Sequence, residues 1–428
     1  MLFRSQVVRS DATLSRFGWT TAGTPYYITN TAGGTRAQVY LVRAGQSLLV
    51  WQGATEDVAA QPGRALETYG DAGDIIELDG RVFLTSDGYS DSGPQPFLDA
   101  LDLKTLEKER LYTSKSGELE QPLAVFDGAG LTLLTWRESP SEPPMLRLVH
   151  GSKVTTVWQH VHPYPELAKA ERRLVQYTRA DKVKLSGTLY LPPGYTGDAR
   201  LPTLLWIYPS EFSQQRYAEL PNERSYHFGH VKGPSPLGVV LAGYALLYNP
   251  TMPIIGDKRT VNDEYLSQLV ANADAAVKHV VDLGVADPDR IAVAGRSYGA
   301  FSTANLLVHS RLFKSGIAIS GAYNRTLTPF GFQSEQRSFW RAPEMYAKVS
   351  PFFHADSIEA PLLLIHGALD ENAGTAPEQS ERFFHALVGN GAPVRYVSLP
   401  YEGHQYYARE SVLHIVSEMI DWLNRTLR

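Results

Sequence analysis

The pentapeptide Gly295-Arg296-Ser297-Tyr298-Gly299 stands between a buried-type strand, Arg290–Ala294, and a helical stretch running from Tyr298 to His309. Few local patterns restrict a fold as strongly. A strand-to-helix turn this tight excludes side chains at both glycines and lifts the serine hydroxyl to the helix N-terminus. It requires a sheet whose strands lie beneath helices, and the surrounding chain fits. From about residue 170 onward, the apolar runs Leu185–Leu191, Thr203–Tyr208, Ala245–Tyr248, Arg290–Ala294, Ser315–Ser320, Pro361–His366 and Val394–Leu399 alternate with the amphipathic stretches Asp263–Leu283, Phe301–His309, Ala376–Leu387 and Ser411–Leu427. Such alternation predicts a mostly parallel sheet with helices on both faces. Asn262 is placed to cap the first of these helices.

Residues 1–162 follow a different pattern, short strands between turn signals with no helical period. The strands expected are Pro25–Asn30, Gln38–Val42, Ser47–Gln52, Asp74–Leu78, Arg81–Ser86, Leu131–Arg137, Pro144–His150 and Lys153–Gln159, with turns at Asn30–Gly34 and Asp127–Gly130. They group into about three units of roughly 45–55 residues, the period of a propeller blade. The expected organisation is an all-β partial β-propeller of about three blades over residues 1–162, followed by an α/β domain over 163–428. A small β-sandwich is the alternative for the first part. Three blades cannot close a ring without leaving sheet edges open. Since Met1–Ser5 also runs straight into β-type sequence, an N-terminally shortened chain is expected.

Composition excludes several classes of function. A formal net charge of −5 gives no positive field for nucleic acid. The absence of cysteine removes disulfides, thiolate metal sites and a cysteine nucleophile, and assigns no compartment. The first twenty residues lack the apolar core and cleavage site of a signal peptide, and the run Leu237–Tyr248 is too short to span a bilayer. A soluble chain without a membrane partner is expected. His227 and His230 have a spacing that suits a metal, but no third ligand lies near in sequence, so neither metal nor cofactor is expected.

A serine hydroxyl becomes a strong nucleophile only when a base takes its proton, and that base needs an orienting carboxylate. On such a sheet these follow the serine on later loops at the carboxyl edge, acid before histidine. Asp370 follows Pro361–His366 through Gly367-Ala368-Leu369, and His404 follows Val394–Leu399 in the loop Pro400–His404. Glu371 and Glu402 compete for the acid role, and spacing does not rank Asp370 above Glu371. His366 ends its own strand ahead of the acid and reads as structural. For the developing oxyanion, the N–H of Tyr298 is one donor by position. The usual glycine-rich loop is replaced by Trp206–Ser210, which makes the hydroxyl of Tyr208 the second candidate, against the alternative of a buried packing tyrosine.

At these residues the chain resembles the prolyl oligopeptidase family, in which a β-propeller precedes an α/β-hydrolase domain. Within it, the resemblance is greatest to the glutamyl endopeptidase branch, carried by His162–Pro165, Leu191–Tyr195, Met252–Gly256, Gly321–Phe332 and Ala408–Ser411. The resemblance implies that Ser297, Asp370 and His404 are the catalytic triad, with Tyr208 the oxyanion tyrosine, and that the substrate is a peptide or protein. It implies about seven blades where this chain has room for about three. It matches Asn372 to an asparagine that binds a substrate carbonyl, and directs attention to Arg325, Phe330 and Phe332 as pocket residues. Cleavage after glutamate needs a cation in the primary pocket, for which Arg325 is the first candidate and Arg337 and Arg341 the alternatives. An esterase using the same triad and a non-catalytic interaction protein are the rival readings.

Overall fold

A computed structural model describes residues 12–427 except 32–33, 58–59, 69–72, 91–92, 116–117, 128–130, 221–225 and 258. The opening Met1–Ser5 and parts of the two expected turns, residues 32–33 and 128–130, lie outside the described residues. The chain divides into two compact units, Met1–His162 with Tyr226–Gly229, and Pro163–Ser225 with His230–Arg428.

The first unit holds three successive antiparallel sheets of four or five strands, the arrangement of propeller blades, and a two-stranded pair, Tyr89–Ser90 with Gly93–Pro94. The first is a four-stranded meander from Thr13–Trp19 to Gln46–Ala54, and the third another from Leu119–Asp127 to Lys153–Gln159. Between them, Phe97–Asp102 pairs with both Lys108–Thr113 and Arg81–Ser86. The period of two in this middle sheet sets the packing. Val82, Leu84 and Leu101 join Tyr26 and Leu41 of the first sheet, while Phe83, Leu98 and Ala100 join Val125 and Leu133 of the third.

Four of the longer strands of this unit escaped the sequence reading: Thr13–Trp19, Phe97–Asp102, Lys108–Thr113 and Leu119–Asp127. Lys108–Thr113 opens on three charged residues and lies largely exposed, and Leu119–Asp127 contains Pro122, where the register shifts. The expected Asp74–Leu78 is reduced to Glu77–Leu78, with Ile75 in isolated bridges.

The second unit is built on an eight-stranded sheet. Its strands are β1 (Glu171–Thr178), β2 (Lys184–Leu191), β3 (Leu201–Trp206), β4 (Ala245–Tyr248), β5 (Ala286–Arg296), β6 (Ser315–Ile319), β7 (Leu362–Gly367) and β8 (Val394–Leu399). The spatial order is β1-β2-β4-β3-β5-β6-β7-β8. The pairs β1·β2 and β2·β4 are antiparallel, and the rest are parallel. The central strands are apolar on both faces because both are covered. Leu205, Val293, Ala318 and Leu364 point into one core, shared with helices α1 (Tyr265–Asp282), α2 (Tyr298–His309) and α3 (Glu378–Gly389). Their neighbours Leu204, Ala292, Ile317 and Leu363 point into the other, closed by Ile415, Met419 and Leu423 of α4 (Arg409–Thr426).

Two details correct the sequence reading. Asn262 does not cap α1; it is buried inside a 3₁₀ turn, Val261–Glu264, and Glu264 takes the capping position without a side-chain bond. Leu237–Tyr248 is a short helix, Gly238–Leu241, followed by β4, and no helix among the described residues is long and apolar enough to cross a membrane.

Phe83 is 1% exposed between two sheets, whereas Leu14 is 58% exposed on an outer strand. Phe83→Ala should lower unfolding free energy by about 3–5 kcal/mol, and Leu14→Ala by no more than about 0.5 kcal/mol, in urea melts monitored by tryptophan fluorescence.

Candidate active site

The turn from β5 to α2 consists of one residue. Ser297 has φ +56° and ψ −117°, a backbone state that costs on the order of 1–3 kcal/mol outside glycine and is held here by its surroundings. Its N–H donates to the Ile319 carbonyl at the end of β6, 2.8 Å away. Both motif glycines are required by contact. A Cβ on Gly295 would overlap the backbone of Gly299, and one on Gly299 would overlap the Ile207 carbonyl oxygen. The elbow is thus pressed against the loop that follows β3.

The loops after β7 and β8 bring an acid and an imidazole to the same edge. His404 Nε2 lies 3.2 Å from Ser297 Oγ, and its Nδ1 lies 2.8 Å from Asp370 Oδ2. The Asp370 side chain is fully buried, while that of His404 is 19% exposed. Asp370 Oδ1 accepts the N–H of Asn372 at 2.9 Å. Its Oδ2 also lies 3.1 Å from Thr375 Oγ1, a donor, and 3.0 Å from His366 Nε2. Burial pushes the Asp370 pKa up, but the bonds from His366, His404 and the Asn372 N–H outweigh it and hold the group well below the usual carboxylate range. Glu371 is exposed, and Glu402 is buried with its oxygens on the N–H groups of Tyr407 and Ala408. Asp370 is therefore the carboxylate that touches His404. A histidine in this position can take a proton from Ser297 Oγ at Nε2 while Nδ1–H stays on the carboxylate.

A cavity of about 440 Å³ opens at Ser297, lined by Tyr298, Arg325, Phe330, Phe332 and Asn372 among others. The N–H of Tyr298, first in α2, has no acceptor among the described residues. Tyr208 is 46% exposed, against the packing alternative, and its ring meets that of Tyr298 edge-on at 6.2 Å. Its hydroxyl has no partner among the described residues.

Arg325 begins the 3₁₀ turn after β6 and is 4% exposed. Its guanidinium lies 4.3 Å from the Phe301 ring centre and 4.4 Å from that of Phe332. Burial lowers its pKa from the usual arginine value, though an arginine stays charged at neutral pH. No carboxylate pairs with it among the described residues. The nearby Glu211 is spent elsewhere, accepting the Tyr298 hydroxyl at 3.0 Å and the Ser334 N–H at 2.8 Å. Arg337 is already held by Glu335 and Asp263, and Arg341 is exposed. Phe330 is 80% exposed at the rim. His227 Nδ1 lies 3.0 Å from Glu138, a residue of the same unit.

Thr375, Glu211 and the contact of His366 with Asp370 were missed from sequence. Only His366 carried a signal, four residues before the acid at the end of the strand that leads to it.

Residues 259–428 match the sequence family described as the prolyl oligopeptidase family. The chain is 43% identical over 400 residues to a probable chloroplastic glutamyl endopeptidase of Arabidopsis thaliana, and equally to one of Oryza sativa subsp. japonica. Each alignment covers 88% of this chain and 42% of the relative, so the chain spans about two fifths of their length. Among solved structures, dipeptidyl peptidase 4 of Porphyromonas gingivalis superposes with a TM-score of 0.69 at 17% identity, covering 99% of this chain and 65% of the other. A puromycin hydrolase gives 0.63 at 18% identity, covering 96% and 61%. At these identities the structural likeness concerns the fold.

Because the folded pKa of Asp370 lies below the unfolded value of about 3.9, its ionisation stabilises the fold above that pH, and the gain shrinks as pH falls through the folded value. The stability gap between wild type and Asp370→Asn should be widest at neutral pH and narrow below about pH 4 in denaturant melts.

Proposed function

The chain belongs to the prolyl oligopeptidase family, and from that premise we propose that it is a serine peptidase working through an acyl-enzyme, with glutamate preferred on the acyl side of the cut bond. The observation that carries the chemistry is His404 lying between Ser297 Oγ, at 3.2 Å, and Asp370 Oδ2, at 2.8 Å.

As Ser297 Oγ attacks the substrate carbonyl carbon, His404 Nε2 takes its proton and the carbonyl electrons move to oxygen. The Tyr298 N–H and the Tyr208 hydroxyl receive that charge. Collapse of the intermediate breaks the C–N bond, and His404 hands its proton to the departing amine. Water then enters, His404 takes a proton from it, and the new hydroxide attacks the acyl carbon. Ser297 leaves with the proton restored. Throughout, Asp370 fixes the imidazole tautomer and offsets the positive charge that His404 acquires.

The glutamate preference rests on Arg325. A buried guanidinium without a carboxylate partner, at the wall of the cavity that holds Ser297, suits a substrate that brings its own carboxylate. Phe332 supports the guanidinium from below, Phe330 covers the rim, and the Asn372 amide is placed to donate to a substrate carbonyl. The names of the plant relatives agree with this reading.

Digestion of a peptide library, with cut sites read by mass spectrometry, should show cleavage after glutamate. Ser297→Ala should lower kcat by about 10⁴–10⁶-fold and Tyr208→Phe by about 10–10³-fold; a Ser297→Ala protein that keeps most of its activity would end the proposal. Arg325→Ala should slow cleavage after glutamate by about 10²-fold or more while leaving weak cleavage after neutral residues unchanged. An unchanged preference for glutamate would remove Arg325 from the pocket.

A further inference from the structure

The proposed chemistry gives no task to His366, which is fully buried at the end of β7. Its Nε2 lies 2.7 Å from the Thr375 carbonyl oxygen and 3.0 Å from Asp370 Oδ2. A carbonyl can only accept, so Nε2 carries the hydrogen, directed between these two oxygens. On the other side of the ring, Nδ1 lies 2.6 Å from Oγ of Ser380, a fully buried residue of α3, and accepts its hydroxyl. The tautomer is therefore fixed from both ends. Thr375, reached from below by His366, sends its own hydroxyl to Asp370 Oδ2 at 3.1 Å, and its Oγ1 stands 3.0 Å from His404 Nδ1.

We infer that His366 and Thr375 form a clamp on Oδ2 of Asp370 and are positioning residues for the triad, acting through the carboxylate without touching substrate. The inference rests on the proposed triad. Two oxygens of one carboxylate are tied independently. Oδ1 is held by the Asn372 N–H, and Oδ2 is shared among His404, His366 and Thr375. Without the clamp, the plane of the carboxylate would be set only by Asn372 and by His404, whose loop is partly exposed. His404 would then follow the carboxylate, and Nε2 would drift from Ser297 Oγ. The additional donors also spread the carboxylate charge, which keeps the proton on His404 Nδ1 and agrees with the lowered pKa of Asp370.

The test is the rate at which a fluorophosphonate probe labels Ser297 in the full chain, measured over a range of probe concentrations. His366→Phe fills the space but cannot donate, and Thr375→Val keeps the shape of threonine without its hydroxyl. Each should reduce the limiting labelling rate by about 10²-fold, the effect of displacing a catalytic group by about 1 Å, and leave the half-saturating probe concentration unchanged. His366→Gln carries an amide N–H where Nε2–H stood and should keep most of the wild-type rate. Wild-type rates in both His366→Phe and Thr375→Val would overturn the clamp, as would a His366→Gln protein as slow as His366→Phe. If His366→Phe does not fold, Thr375→Val decides alone. A wild-type chain that the probe does not label contradicts the proposed serine chemistry itself, which is a different failure from labelling at equal rates in every variant.

Discussion

A carboxylate removed from water persists as an anion only where donors meet it. Asp370 is such a group, and much of the site can be understood as what is needed to hold it. The strand β7 delivers it to the sheet edge, and the short loop behind it turns back so that Asn372 can offer a backbone N–H and Thr375 a hydroxyl. His404 completes the set from the next loop, and in doing so points its other nitrogen at Ser297. The serine is presented by strain on its own backbone, which the two flanking glycines and the Ile319 carbonyl make tolerable.

The same principle separates the arginines of this unit. Arg179, 3% exposed, reaches Asp181 and Asn272, and Arg337 reaches Glu335 and Asp263. Arg325 is equally buried but rests on aromatic rings, with its Nε unpartnered. Aromatic faces offset part of the desolvation of a guanidinium, though not as much as an anion would. That unpaired cation, in the wall of the cavity at Ser297, is what the proposed glutamate preference rests on.

The sheet was legible because its central strands are buried on both faces and read as continuous apolar runs, and the elbow because its glycines admit no substitute. In the first unit, two of the missed strands lie at the surface, although the missed Phe97–Asp102 is buried and the exposed Lys153–Gln159 was read. Lys108–Thr113 and Thr13–Trp19 carry few buried side chains, so neither shows the alternation that marks a half-buried strand. At the site, ranking Asp370 over Glu371 was beyond spacing alone, since both fall on one loop and only the turn made by that loop decides which faces inward. Thr375 and Ser380 carried no signal, because a hydroxyl becomes informative only when its partner is known.

Intact chain treated with a fluorophosphonate, with the adduct mapped by peptide mass spectrometry, examines the contact between His404 and Ser297 most directly. A single adduct on Ser297 that disappears in His404→Ala is the result this account predicts. No adduct on Ser297, or one formed at the same rate without His404, would contradict it.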